Sequence, residues 1–332
     1  MHSTYKNLLP PLMALAALAL IPLVSLWLND PFLVRLFTRV LLLGIAAMAL
    51  NLVLGFGGLV SLMHASLFGV GGYVVAILAQ HDFNAEPIIG SFTGTSLLAV
   101  SVPLAIVASA AVAAITGLVS LRTSGLFFIM ITLAFNQMIF YLFIALQKYG
   151  GEDGLQMLGR VDLFGLHPGM RVPFYYVCLL LAAIVWLLLA RIVDSRFGMV
   201  LRGLAQNERR MRALGIEPLR YKLTAFVISG AVAGLAGAFW AASQSYVSPA
   251  DMAWSRSGEL VVMAVLGGTA SVGGPLLGTG IFLLFEFLLS EVTSYWHLPF
   301  GLLIILMIVA FPKGIVQLSS SLNRLVSKLR HG

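Results

Sequence analysis

Apolar residues run along this chain in long blocks separated by short clusters of charge, and those blocks carry the first structural signal. A bilayer core of about 30 Å takes roughly 20 residues of α-helix at 1.5 Å each, so the blocks divide by length into spans. Residues 8–28 make one span. Residues 40–81 carry no formal charge and, at 42 residues, hold two, with Gly55, Gly57 and Gly58 marking the turn between them. Single spans follow near 97–119, 126–146, 174–189, 223–242 and 298–311. The stretch 260–289 is interrupted by Gly267, Gly268, Gly273, Gly274 and Pro275 and reads as one kinked span or two short ones.

Charge chooses between these. The connection 194–222 carries Arg196, Arg202, Arg209, Arg210, Arg212, Arg220 and Lys222, and the tail 313–332 carries Lys313, Arg324, Lys328 and Arg330. Both are expected on the cytoplasmic face, because basic residues accumulate there. Two segments on one face are separated by an even number of spans, so 260–289 splits in two and the total becomes about ten, with both termini inside. This arrangement places 14 of the 20 basic residues inside. Arg35 and Arg39 fit it least well, since both fall on the outer side. The first block follows Lys6 like a secretory signal, but it is as long as a full span and lacks a small-residue cleavage site, so an uncleaved first helix is expected.

Composition agrees. Of 332 residues, 60% are hydrophobic and 10% charged, with a mean hydropathy of +0.98, against about 25% charged in soluble domains. The fold class is therefore an all-α polytopic membrane protein of about ten helices with broken, glycine-rich segments, a single transmembrane domain over 1–332. The net charge of +7 follows the positive-inside bias and does not call for nucleic acid. Cys178 is the lone cysteine, which excludes an internal disulfide, a redox pair and a cysteine zinc site. No Gly-Lys pair occurs, so the chain has no phosphate-cradling loop, and any dependence on ATP must come from a partner. The histidines lack the spacing of a helical metal site, and no metal or cofactor is expected. Thr269-Ala270-Ser271-Val272-Gly273 comes nearest to a nucleophile elbow, with threonine where the first glycine belongs.

Two features carry candidate chemistry. Within 194–222, Asn207 is placed to cap a helix that Gly215 and Pro218 end, giving about two turns, with Met211 and Leu214 as an apolar edge and Arg209, Arg210 and Arg212 turned to water or a partner. Such a helix can anchor to anionic lipid or dock on a protein. Inside the spans, Asn51, Ser61, His64 and Ser66 surround the first glycine break, and Asn136 and Gln137 lie in the middle of the fifth span. These six either line a path or make hydrogen bonds between helices. Glu286 is the most embedded acid; with no embedded Lys or Arg in view as a partner, it favours an ion-coupled carrier or channel as the rival class. No charged pocket suited to a zwitterion is visible.

The run Ser195-Arg196-Phe197-Gly198, then Asn207-Glu208, Ala213-Leu214-Gly215-Ile216, Tyr221-Lys222, Ala225-Phe226 and Ala233-Gly234-Leu235-Ala236-Gly237, resembles the LivM-type permease subunit of branched-chain amino-acid ABC importers. So do Asn51-Leu52, Ser61-Leu62-Met63-His64-Ala65 with Gly69, Thr132-Leu133-Ala134-Phe135, Gly150-Gly151-Glu152-Asp153-Gly154-Leu155 and Gly273-Gly274-Pro275-Leu276-Leu277-Gly278, in an order that covers about 50–314. The resemblance implies a bacterial inner-membrane permease pairing with a second permease subunit, two cytoplasmic ATPase subunits and a periplasmic solute-binding protein, and passing a small polar solute. It further implies that 194–222 is a coupling loop whose Asn207, Glu208, Arg209, Arg212, Ala213, Leu214 and Gly215 meet the ATPase. The chain departs from the family pattern by placing Arg209, Arg210 and Arg212 where smaller residues are usual, and Asn136 where a small residue is usual. Similar permeases carry urea or short amides, so branched-chain or related amino acids and a small amide both remain open as solutes.

Overall fold

The computed structural model describes residues 18–310 apart from 29–30, 86, 88–92, 158–161, 163–168, 293–294 and 296. Its helices are α1 (Ile21–Leu28), α2 (Pro31–Asn51), α3 (His64–Asn84), α4 (Leu98–Ser120), α5 (Leu126–Ala145), α6 (Arg171–Asp194), α7 (Arg196–Gln206), α8 (Glu208–Ala213), α9 (Pro218–Gln244), α10 (Trp254–Gly267), α11 (Gly274–Val292) and α12 (His297–Ala310). Two short strands, β1 (Leu155–Gln156) and β2 (Tyr246–Val247), pair antiparallel and tie the loop after α5 to the end of α9.

Six of the described helices are long and apolar enough to cross a bilayer: α2 with its extension to Phe56, α4, α5, α6, α9 and α11. The all-α membrane class expected from the sequence is met, while six of the expected ten or so spans reach full length among the described residues. The helix α3 has 21 residues but is richer in glycine and polar groups, while α10 and α12 have 14 each, about 21 Å of helix against a core of about 30 Å. Residues 8–17 of the expected first span, and the basic tail 313–332, lie outside the described residues. The stretch 260–289 does form two helices, broken between Gly267 and Gly274, but the first is a half-length helix beginning at Trp254.

Burial divides the helices by role. The apolar windows of α2 and α9 are 83% and 78% buried, against 22% for α5, so α2 and α9 form the core and α5 presents most of its surface outward. Close packing of α9 on α3 depends on missing side chains: a Cβ at Gly237 would sit 1.7 Å from the Phe68 carbonyl oxygen, and one at Gly71 would sit 2.0 Å from that of Gly234. Small residues let backbones approach where water is absent and dispersion contacts must hold helices together. The helix α2 does not end cleanly; Leu52–Phe56 widens to a π-turn, a local defect that often marks functional positions in helices.

Candidate coupling and translocation sites

The loop 194–222 is built from local signals. Ser195 caps α7, its hydroxyl accepting from the Gly198 N–H at 3.4 Å. Leu201 and Leu204 are buried against the bundle, and Phe197 stacks on Tyr221 of α9 with ring centroids 5.7 Å apart. Asn207 then interrupts the helix with extended backbone and starts α8, its Oδ1 accepting from Arg210 N–H at 2.9 Å. Gly215 closes the turn at φ +82°, with open space where a Cβ would stand, so what it supplies is backbone conformation and not room. The sequence reading placed Asn207 and Gly215 in these roles but missed α7, whose signal was Ser195 followed by apolar residues at helical spacing.

Two details change. Met211 and Leu214 do not form a shared edge: Met211 packs over Gly203 of α7, and Leu214 is 71% exposed. Glu208 turns back to α9, its Oε2 accepting from Lys222 Nζ at 2.5 Å and its Oε1 from Arg212 at 2.6 Å. The Lys222 hydrogen bond holds the Glu208 carboxyl below the usual carboxylate value, outweighing partial burial, with Arg212 adding to it. The docked helix therefore offers Arg209, Arg210, Ala213 and Leu214 outward while Glu208 latches it to the bundle.

A chain of close contacts joins this loop to the two helix breaks. Ala205 of α7 lies against Gly58, where an added Cβ would be 3.1 Å from the Ala205 Cβ. Within the π-turn, Gly55 faces the Thr269 carbonyl of the break before α11; a Cβ there would be 2.3 Å from that oxygen. Asn51 donates to the Ser271 carbonyl at 2.9 Å, and its own Oδ1 is buried without a partner.

The other polar residues read from the sequence meet in a seam between helices. His64 lies with Nε2 2.7 Å from Ser229 Oγ and Nδ1 3.3 Å from Ser61 Oγ. Ser229 donates its hydroxyl proton to the Ala49 carbonyl, so it accepts from His64, which places the imidazole proton on Nε2. Ser66 donates to Asn136 Oδ1 at 2.7 Å, and Asn136 Nδ2 donates to the Met252 carbonyl at 2.9 Å. Asn51, Ser61, His64, Ser66 and Asn136 are all wholly buried. Gln137 is half-buried, with an enclosed Oε1 that has no partner.

The structure overturns the reading of Glu286 as a lone carboxyl. Arg39 of α2 reaches it at 3.2 Å, although the two are 247 residues apart. Arg39 lies more than two turns into its helix, which is why a basic residue assigned to the outer side becomes an interhelical partner. A cluster of charged side chains that the sequence did not reveal stands at the start of α10. Arg256 lies 2.6 Å from Glu259 and 3.7 Å from Asp251, and Asp251 accepts from the Trp240 indole at 3.4 Å. Sequence spacing alone hid this group, because its segment looked like an outer loop.

Among the described residues no cluster of His, Cys, Asp or Glu could hold a metal ion. The broken helices, the polar seam and the docked helix α8 define a polytopic helical membrane protein of the transporter class. A family model described as "Branched-chain amino acid transport system / permease component" matches residues 32–311, and the chain belongs to that family. It is 29% identical over 310 residues to the high-affinity branched-chain amino acid transport system permease protein LivM of Salmonella typhimurium, covering 86% of this chain and 70% of the relative. To LivM of Escherichia coli it is 29% identical, covering 83% and 68%. A probable branched-chain amino acid transport permease protein LivH of Methanocaldococcus jannaschii is 27% identical, covering 69% and 76%. No solved structure matches the chain.

Proposed function

We propose that the chain is a membrane permease subunit of an ATP-driven importer for branched-chain or related amino acids, forming half of the translocation pathway. Family membership over residues 32–311 carries this reading. The Arg39–Glu286 pair removes the lone embedded carboxyl that favoured an ion-coupled carrier. A second permease subunit completes the pathway, two cytoplasmic ATPase subunits supply hydrolysis, and a periplasmic binding protein delivers the solute. The subunit sits in the bacterial inner membrane with both termini and the loop 194–222 in the cytoplasm, in keeping with its basic residues.

Within this reading, α8 with its flanks Asn207, Leu214 and Gly215 couples the ATPase to transport. Closure of the ATPase pair moves α7 and α8 as one body, held by Met211 on Gly203 and by Glu208 on Lys222. The Ala205–Gly58 contact passes that motion to the broken end of α2, and Gly55 passes it to the break before α11. Packed elements with two arrangements transmit motion this way. The seam of Asn51, Ser61, His64, Ser66 and Asn136 lies along the pathway with Gln137 beside Asn136 on α5, and hydrogen bonds of the first five close it in this conformation; it parts when the pathway opens.

The test is the energy source. Reconstituted with its partner subunits in proteoliposomes, the complex is expected to take up leucine only when ATP reaches the ATPases and the binding protein is present. Uptake without ATP that collapses when a proton or sodium gradient is dissipated would refute the reading.

A further inference from the structure

The segment after α9 re-enters the bundle. Beyond β2, a 3-10 turn at Pro249–Met252 seats Met252 against Gly69 of α3, where a Cβ would be 2.2 Å from its Cγ. The Met252 carbonyl accepts from Asn136, in the middle of α5. Ser257 Oγ accepts from the Ala65 N–H at 3.0 Å, beside His64 and its partner Ser229. Ser229 lies 15 residues from the outer end of α9 and 11 from the inner end, which at 1.5 Å per residue is roughly 22 Å and 16 Å along the helix. Thus α10 begins near the middle of the membrane.

Irregular backbone at that depth persists only where protein buries it or a watery cavity runs beside it, and charged side chains there face the interior or a pathway. The first turns of α10 carry charge: Arg256 and Glu259, joined by Asp251 just before the helix, with side chains 20%, 38% and 14% exposed. The exposed parts open away from this chain's own core. Lipid is an unsuitable neighbour for them, whereas a water-filled path, which the importer reading places between two permease subunits, suits them. Next to them the Tyr73 hydroxyl, on a side chain 1% exposed, is buried with no hydrogen-bond partner and lies within coulombic reach of Asp251 and Tyr246. The positive end of the α10 dipole points to the same place.

We propose that Asp251, Arg256 and Glu259 form an intramembrane station for a zwitterionic solute. Arg256, aided by the start of α10, receives the carboxylate, and Glu259 with Asp251 receives the ammonium. In the empty station the single guanidinium of Arg256 pairs with both carboxylates, leaving one negative charge in excess when both are ionised, and a zwitterion exchanges into those pairs without changing that net charge. A neutral amide offers neither pole. The inference rests on the amino-acid importer reading and adds that selectivity is exercised inside the membrane as well as by the binding protein.

The experiment uses the assembled complex in proteoliposomes with leucine as probe and urea as neutral comparison. Arg256→Gln and Glu259→Gln are each expected to lower leucine uptake by roughly 10–100-fold, the loss of one charged hydrogen bond, with subunit assembly and ATPase activity retained; Arg256→Lys should recover part of it. In a Cys178→Ser background, Ser255→Cys should react with a charged thiol reagent and be protected by leucine but not by urea. If Arg256→Gln fails to assemble, Glu259→Gln at the more exposed edge still decides. Wild-type uptake of leucine together with unimpaired uptake by the Gln variants would overturn the station and leave the importer reading standing. A wild-type complex that takes up no leucine with ATP would overturn that reading, and the station with it.

Discussion

Replacing Lys222 by Gln tests how α8, the proposed coupling helix, is held. In the folded chain the Lys222 side chain is 10% exposed and its Glu208 partner 30%, at 2.5 Å. The pair lies between an exposed ion pair, about 0–1 kcal/mol, and a buried one, whose loss costs about 3–5 kcal/mol. Glu208 keeps Arg212, a pair four residues apart whose Arg is 66% exposed, worth about 0.3–0.5 kcal/mol. The net loss is then about 2 kcal/mol, a shift of roughly 30-fold between docked and undocked α8 at 1.4 kcal/mol per decade. Hydrogen exchange should show that as faster exchange of amides 208–216 with the interior of α9 unchanged, and the assembled complex should hydrolyse more ATP per solute moved. The pH dependence has a definite sign. The Glu208 carboxyl is held below its ordinary value of 4.5, so the latch is fully present above that pH and is lost as pH falls through the lower folded value. Glu208→Gln should reproduce the acid behaviour at neutral pH. Unchanged exchange of 208–216 in Lys222→Gln would refute the latch.

Other substitutions probe separate parts of the account. Gly215→Val forces a β-branched residue to φ +82° where space is otherwise open; it should cost about 1–2 kcal/mol and raise futile hydrolysis, whereas Gly215→Asn, which tolerates that conformation, should stay near wild type in coupled uptake. Glu286→Gln should loosen α2 against α11 by about 1–3 kcal/mol, read as a lower melting temperature, yet reduce ATP-driven uptake only modestly; loss of uptake with unchanged stability would revive an ion-coupled role. Cysteines placed at Ser195 and at Asn84, with Cys178 replaced, should label from opposite sides of the membrane, and labelling from the same side would contradict the inside position of the loop.

What could be read from the sequence follows from how local each signal was. Asn207 and Gly215 act on backbone groups within a few residues, so capping chemistry alone placed α8. The glycine breaks at 55–58 and 267–274 were visible for the same reason, though not that they meet each other through Gly55 and Thr269. Arg39 and Glu286 belong to helices at opposite ends of the sequence, and no spacing rule pairs them. Asp251 and Arg256 were hidden by a length rule: the segment after α9 is too short and too polar to count as a span, so it passed for an outer loop, while its depth comes from Met252 seated on Gly69. Lys222 looked like one more basic residue of an inside loop because its burial depends on the fold of α7 over α9.

The most direct test of the central claim is site-specific crosslinking from Ala213, exposed on α8, in the assembled complex. A photoactivatable residue at that position is expected to capture the ATPase subunit, with a yield that changes between nucleotide-free and ATP-bound states. Capture of lipid alone in both states, with ATP-driven uptake intact after deletion of residues 207–215, would contradict the account.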